Sequence, residues 1–178
     1  MKKIILIGPK CSGKTCAGKA AAKQAALVNQ ACDFIDVDEL IFQKTGKTPR
    51  EIYNESQAMF QDAEAEAIFD IANNNKSIMR IIAAGGGLTD NIRALDALKN
   101  TETVFVYLEI SADCAWNRII NLKDDLPPFL KTENPRETHR TLHERRAAAC
   151  AETANFTIKN GEKTPEETAK EILKVFIE

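Results

Sequence analysis

No stretch of this 178-residue chain approaches the run of about 20 apolar residues that crosses a bilayer. Lys2-Lys3 is followed by only four apolar residues, too short a run for a secretory signal. A cytoplasmic protein with no membrane partner is therefore expected. Excess charge of one sign is also lacking: 24 Lys and Arg stand against 26 Asp and Glu, a formal net charge of −2. That balance leaves no electrostatic footprint for nucleic acid. The five cysteines, Cys11, Cys16, Cys32, Cys114 and Cys150, form neither a paired metal-ligand spacing nor a disulfide framework, and are expected as reduced thiols. With no internal repeat, low-complexity tract or interdomain linker, residues 1–178 read as one domain, expected to be a monomer.

What is present begins with Gly8-Pro9-Lys10-Cys11-Ser12-Gly13-Lys14-Thr15, which fits the phosphate-binding pattern of Gly, any four residues, then Gly-Lys-Ser/Thr. Ile4-Ile5-Leu6-Ile7 before it reads as a buried parallel strand, and Cys16 to Leu27 after it is rich in helix formers. Strand, Gly-rich turn and helix are the context this chemistry needs. Backbone N–H groups of the turn and of the helix N-terminus converge on one point, where the helix dipole also favours an anion. Gly8, Cys11, Ser12, Gly13, Lys14, Thr15 and Cys16 are the expected nucleotide contacts. Lys14 would reach the β- and γ-phosphates, and the Thr15 hydroxyl would ligate Mg²⁺.

Further on, Asp33 to Asp38 reads as a second strand ending in two carboxylates, and Pro49 as the opening of a short helix. A long helix follows from Glu55 to Ala72, anchored by Phe60, Ile68 and Ile71, and Asn73-Asn74-Asn75 reads as a turn. Ile78 to Ala84 is the third strand, ended by Gly85-Gly86-Gly87. Asp90 is read as the cap of a helix to Lys99, and Thr103 to Leu108 as the fourth strand. Ser111 caps a helix through Asn121. Leu122 to Pro135, with its prolines and mixed charge, reads as a mobile surface loop. A helix from Arg136 to Cys150, a short strand from Phe156 to Ile158 and a helix from Pro165 to Ile177 complete the chain. Strands alternating with helices imply a parallel sheet covered on both faces, with its ligand beyond the carboxyl ends of the strands.

The phosphate loop, Asp36 and Asp38, and Gly85-Gly86-Gly87 all fall at strand carboxyl ends and should share one cleft. A phosphoryl transfer site needs a carboxylate beside the metal and a base or acceptor for the attacking hydroxyl, and Asp36 and Asp38 could divide those tasks. The glycine run would let a ligand approach the backbone closely. His139 and His143, four apart, have no third ligand nearby in sequence and read as a solvated helix face rather than a metal site.

With these features the sequence resembles the shikimate kinase family. The resemblance runs through Ile4 to Thr15, Phe34-Ile35-Asp36-Val37-Asp38, Thr45-Gly46, Phe60 and Ile81 to Gly87. It continues through Val106-Tyr107-Leu108, Arg118, Leu142 to Arg146, and Thr164-Pro165. It implies a three-layer α/β/α P-loop NTPase fold with a five-stranded parallel sheet, a substrate-binding segment at about 38–72 and a mobile lid at about 122–135. It further implies that Asp38 receives the acceptor hydroxyl and that Thr15 and Asp36 serve Mg²⁺. Gly85, Gly86, Gly87, the Gln61 position and Arg146 would meet the acceptor, and Arg118 and Pro165 would lie on the adenine side. The cofactors implied are ATP and Mg²⁺; the partner implied is a small carboxylated acceptor, with shikimate foremost.

Where the family carries an arginine after the phenylalanine matched by Phe60, this chain has Gln61. Before Pro127, where the family's lid has an arginine, it has Leu126. Lys10, Lys123, Lys131 and Arg136 are the candidate replacements. Besides a shikimate kinase, two readings stay open: a kinase for a gluconate-type sugar acid or a nucleoside or nucleotide, and a nucleotide-binding regulator without catalysis.

Overall fold

The computed structural model describes residues 3–74, 78–99, 102–122 and 125–175. Five strands form one sheet: β1 (Lys3–Ile7), β2 (Cys32–Asp36), β3 (Met79–Ala83), β4 (Thr103–Glu109) and β5 (Phe156–Lys159). Their order is β2-β3-β1-β4-β5, and every neighbouring pair is parallel. Register aligns Phe34 with Ile81, Ile81 with Ile4, and Ile4 with Val104, so the strands finish together at one edge.

The helices are α1 (Lys14–Leu27), α2 (Val37–Thr45), α3 (Pro49–Glu55), α4 (Gln57–Asn73), α5 (Ile92–Lys99), α6 (Ala112–Ile120), α7 (Pro135–Thr153) and α8 (Pro165–Lys174). Because strand side chains alternate between faces, the continuous apolar runs feed two cores. Ile5, Ile7, Ile82 and Phe105 meet Ile68 and Ile71 of α4 and Leu95 and Leu98 of α5. Ile4, Leu6, Ile81, Val106 and Leu108 meet Ala17 and Ala21 of α1 and Ala169 and Ile172 of α8. The small residues of α1 bring it close to the sheet. At Gly18 a Cβ would stand 2.3 Å from the Phe34 ring, so no larger residue fits there without moving that ring.

Local signals explain most boundaries. Thr48 and Glu51 form a capping box ahead of Pro49, and Thr164 and Glu167 form another ahead of Pro165. Several element ends differ from the sequence expectation by one to three residues, and three of the differences have a clear consequence. The second strand stops at Asp36, whose side chain accepts from the Asp38 and Glu39 amides and starts α2, so Asp38 stands in a helical first turn. Asp90 does not cap α5. Asn91 Oδ1 accepts from the Ala94 amide instead (3.3 Å), while Asp90 pairs with Arg145 and Arg146. The α4 helix runs through Asn73, so the expected asparagine turn begins later, and its Asn75 lies outside the described residues, as does Ile177.

The expectation of a solvated face at His139 and His143 is also overturned. Both are 5 % exposed; the His139 ring lies 5.5 Å from the Trp116 ring, and His143 Nε2 pairs with the Ile110 carbonyl at 2.9 Å. They are packing residues between α6 and α7. Burial pushes both imidazoles below their ordinary pKa. No group of three or more His, Cys, Asp or Glu able to hold a metal occurs among the described residues.

Candidate active site

The phosphate loop joins β1 to α1 at the carboxyl edge of the sheet. Gly13, at φ +91°, caps α1 in a left-handed conformation that suits glycine. Cys11 holds φ +63°, a conformation an L side chain enters at a cost. Two struts brace the loop. Asn160 Nδ2 donates to the Ser12 carbonyl (2.6 Å), and its own oxygen accepts from Thr168 Oγ1. Arg118 donates Nη1 to the Cys11 carbonyl (3.0 Å) and Nη2 to the Gly161 carbonyl (2.8 Å).

Lys14 is folded back onto its own loop. Its Nζ donates to the carbonyls of Gly8 (2.8 Å) and Pro9 (3.0 Å) and to Ser12 Oγ (3.3 Å). Burial lowers its pKa to about 8, partly opposed by the charge of Asp38. Thr15 Oγ1 donates to Asp36 Oδ2 at 2.7 Å, while Asp36 Oδ1 accepts from the Asp38 amide at 3.0 Å. Burial and the neighbouring Asp36 charge raise the Asp38 carboxyl, against the pull of Lys14 and Lys10.

A cleft of about 780 Å³ opens over these groups. Of the expected site residues it brings together Cys11, Gly13, Lys14, Thr15, Cys16, Asp36, Asp38, Gly85, Gly86, Gly87, Arg118 and Arg146. Gly8, Ser12 and Pro165 lie outside its lining, the first two beneath the loop and Pro165 at the start of α8. Gln61 is outside it as well; the Gln61 carbonyl accepts from Asn91 Nδ2 (2.8 Å) behind the acceptor side. A second cavity of about 780 Å³, beside Trp116, Arg136 and His139, contains none of the loop or its carboxylates.

At the acceptor end, Arg146 Nε and Nη2 both reach Asp90 Oδ2 (2.9 and 2.8 Å), and its guanidinium sits 5.5 Å from the Phe129 ring centre. Phe129 also meets Tyr53 of α3, which meets Phe60 of α4, so aromatic contacts join the lid segment to the substrate-binding helices. Part of the stretch expected to be a mobile loop packs here. Pro128–Leu130 form a 3-10 turn, and Leu130 is fully buried. Pro127, Pro128 and Phe129 line the cleft, and Leu126 does not. Of the replacement cations among the described residues, only Lys10 lines it. Lys131 is drawn toward Asp125 (3.9 Å), Arg136 pairs with Asp113 (3.2 Å), and Lys123 lies outside the described residues.

Sequence reasoning missed Glu64. It is 1 % exposed beneath Gly85, with Oε2 accepting from Asn91 Nδ2 (3.0 Å) and Oε1 without a partner. Burial raises its pKa to about 7. Its signal was available: Glu64 falls on the same helical stripe as Phe60, Ile68 and Ile71, where an apolar residue belongs. Arg50, which also lines the cleft, had no comparable signal.

A parallel sheet whose first strand feeds a phosphate loop, with a carboxylate pair and a glycine run on the same edge, defines a P-loop phosphotransferase. The shikimate kinase family model matches residues 10–176. The chain is 34% identical to the shikimate kinase of Thermodesulfovibrio yellowstonii over 99% of its own length and 95% of that protein's. It is 31% identical to the shikimate kinase of Aquifex aeolicus, over 96% and 94% of the two chains. Among solved structures it resembles the shikimate kinase of Acinetobacter baumannii in complex with shikimate, with a TM-score of 0.81, 26% identity and coverage of 98% and 92%. The chain belongs to the shikimate kinase family, whose members are ATP-dependent kinases. No helix among the described residues is long and apolar enough to cross a membrane.

Proposed function

We propose that the protein transfers the γ-phosphoryl group of ATP to a hydroxyl of shikimate. The observation that carries this reading is that Lys14 and Asp38 line one cleft, with Gly85-Gly86-Gly87 and Arg146 on its acceptor side. Lys14 would leave the Gly8 and Pro9 carbonyls for the β- and γ-phosphates, trading neutral acceptors for charged ones. Asp38 would accept the proton of the attacking hydroxyl as its oxygen bonds to phosphorus and the bridging oxygen leaves with ADP. A carboxyl raised by burial is the better base for that task. Gly86 and Gly87 would offer backbone contacts to the acceptor, Arg146 would meet its carboxylate, and Arg118 and Pro165 would flank the adenine.

The Thr15 hydroxyl and the Asp36 carboxylate fit Mg²⁺, which binds through one or two protein oxygens together with water and phosphate rather than a full protein cage. Bound there, the ion would screen phosphate charge.

The deciding experiment is ADP release from Mg²⁺–ATP with shikimate, then with gluconate and a nucleoside, using Lys14→Ala as the control. Turnover stimulated by shikimate and lost in Lys14→Ala is the expected result. Turnover on another acceptor alone, or ATP binding with no turnover, would sink the proposal.

A further inference from the structure

Carboxylates crowd the acceptor end of the cleft. Asp38 lines it, Glu64 stands behind Gly85, and Asp90 takes two donors of Arg146 as well as Nη2 of Arg145 (3.0 Å). An acidic acceptor would meet the carboxylates of Asp38 and Asp90 with Arg146 already largely neutralised. Two other cleft cations are committed elsewhere, Lys14 to the Gly8 and Pro9 carbonyls and Arg118 to the Cys11 and Gly161 carbonyls, while Lys10 stands on the phosphate loop.

Arg50 is different. It projects from α3 into the cleft beside Pro49 and Tyr53, and no carboxylate pairs with it among the described residues. Among the described residues its hydrogen bond runs from Nη2 to the Asp125 carbonyl, at 2.6 Å, which engages one of a guanidinium's five N–H donors. Arg50 and Tyr53 stand three positions apart, so the two share a helix face. Tyr53 meets the Phe129 ring, and Phe129 carries the Arg146 guanidinium. Both arginines are thus tied to one aromatic pair, Arg50 through its helix and Arg146 by stacking.

We infer that Arg50 binds the carboxylate of the acceptor and supplies the positive charge that Arg146, held by Asp90, lacks. The inference rests on the proposed phosphorylation of shikimate. Arg50 also holds the Asp125 carbonyl, so acceptor binding and the segment leading into Pro127-Pro128-Phe129 are joined at one side chain.

Steady-state kinetics of Arg50→Met and Arg50→Lys, with shikimate and with its uncharged methyl ester, test this. Losing a charged hydrogen-bond partner should raise the shikimate KM of Arg50→Met about ten- to a hundredfold, with kcat and the ATP KM within about twofold of wild type. The preference for shikimate over the ester should collapse, and Arg50→Lys should recover part of the KM. An unchanged shikimate KM in Arg50→Met would overturn the inference. So would a fall in kcat at unchanged KM, which would place the guanidinium on the transferring phosphoryl group. Failure of the parent proposal is read separately: wild-type protein that does not turn over shikimate overturns the acceptor itself before any variant is made.

Discussion

Asp36 holds Thr15 with one oxygen and the start of α2 with the other. A single carboxylate therefore fixes the hydroxyl on the phosphate loop relative to Asp38, because Asp38 is the second residue of the helix that Asp36 caps. The two acids are not equivalent neighbours at a strand end. One is a clamp between helices; the other is carried by the helix that the clamp starts.

Replacing the clamp should cost stability and activity together. Asp36→Ala removes an N-cap, worth about 1–2 kcal/mol, and frees the Thr15 hydroxyl. Urea denaturation should show that loss, and the mutant should need more Mg²⁺ for half-maximal rate. Asp36→Asn keeps a capping oxygen, so it should recover most of the stability and little of the activity. Equal recovery of both would show that Asp36 only caps.

Cys11 sits in the left-handed region at φ +63° on a loop whose conformation nucleotide binding requires. A β-branched residue tolerates that region worse than cysteine does, so Cys11→Val should destabilise the protein by roughly 1–2 kcal/mol. Cys11→Gly should be close to neutral, since the relief of strain is offset by extra freedom in the unfolded chain. Chemical denaturation of the two variants checks this. Equal losses in both would locate the cost in the thiol's packing instead.

The nucleotide half of the fold was legible because each of its signals is local. An apolar run, two glycines at fixed spacing and Thr164-Pro165 each specify their own few residues. The acceptor half depended on contacts distant in sequence. Asp90 reads as a helix cap until Arg145 and Arg146 arrive from α7 to claim it, and Asn91 then takes the cap. His139 and His143 sit in a polar stretch, and only the packing of α7 on Trp116 buries them. Gln61 follows Phe60 in the chain, yet it turns away from the cleft, while Arg50, from the preceding helix, faces it.

Lys14 gives nucleotide binding a pH signature. Its pKa of about 8 reflects a buried amine, and a neighbouring polyphosphate would raise it again. Between the two values the free protein is partly neutral and the complex is charged, so ATP binding should take up a proton. At pH 6.5 both forms are already protonated and Lys14 contributes no uptake. Calorimetry at pH 8.5 in buffers of different ionisation enthalpy should therefore reveal uptake that is absent in Lys14→Met. The same shift acts on stability. The depressed folded pKa means stability is lost as pH falls through about 8 and recovered as it rises toward the ordinary lysine value of 10.5.

Glu64 should produce the opposite slope. Its carboxyl is raised from 4.5 to about 7 by burial beneath Gly85, with Asn91 as its hydrogen-bond partner and Oε1 unmatched among the described residues. The folded protein thus holds a proton that the unfolded chain releases. The stability this brings is fully present below pH 4.5 and lost as pH rises through about 7. Glu64→Gln stays neutral at every pH, keeps an oxygen for Asn91 and avoids burying a charge. It should match wild type at pH 5 and exceed it at pH 8 by roughly 1–3 kcal/mol. Thermal unfolding of both proteins at the two pH values measures the difference. A constant gap across that range would mean that Glu64 does not titrate there and that its unmatched oxygen is satisfied by a group other than a proton.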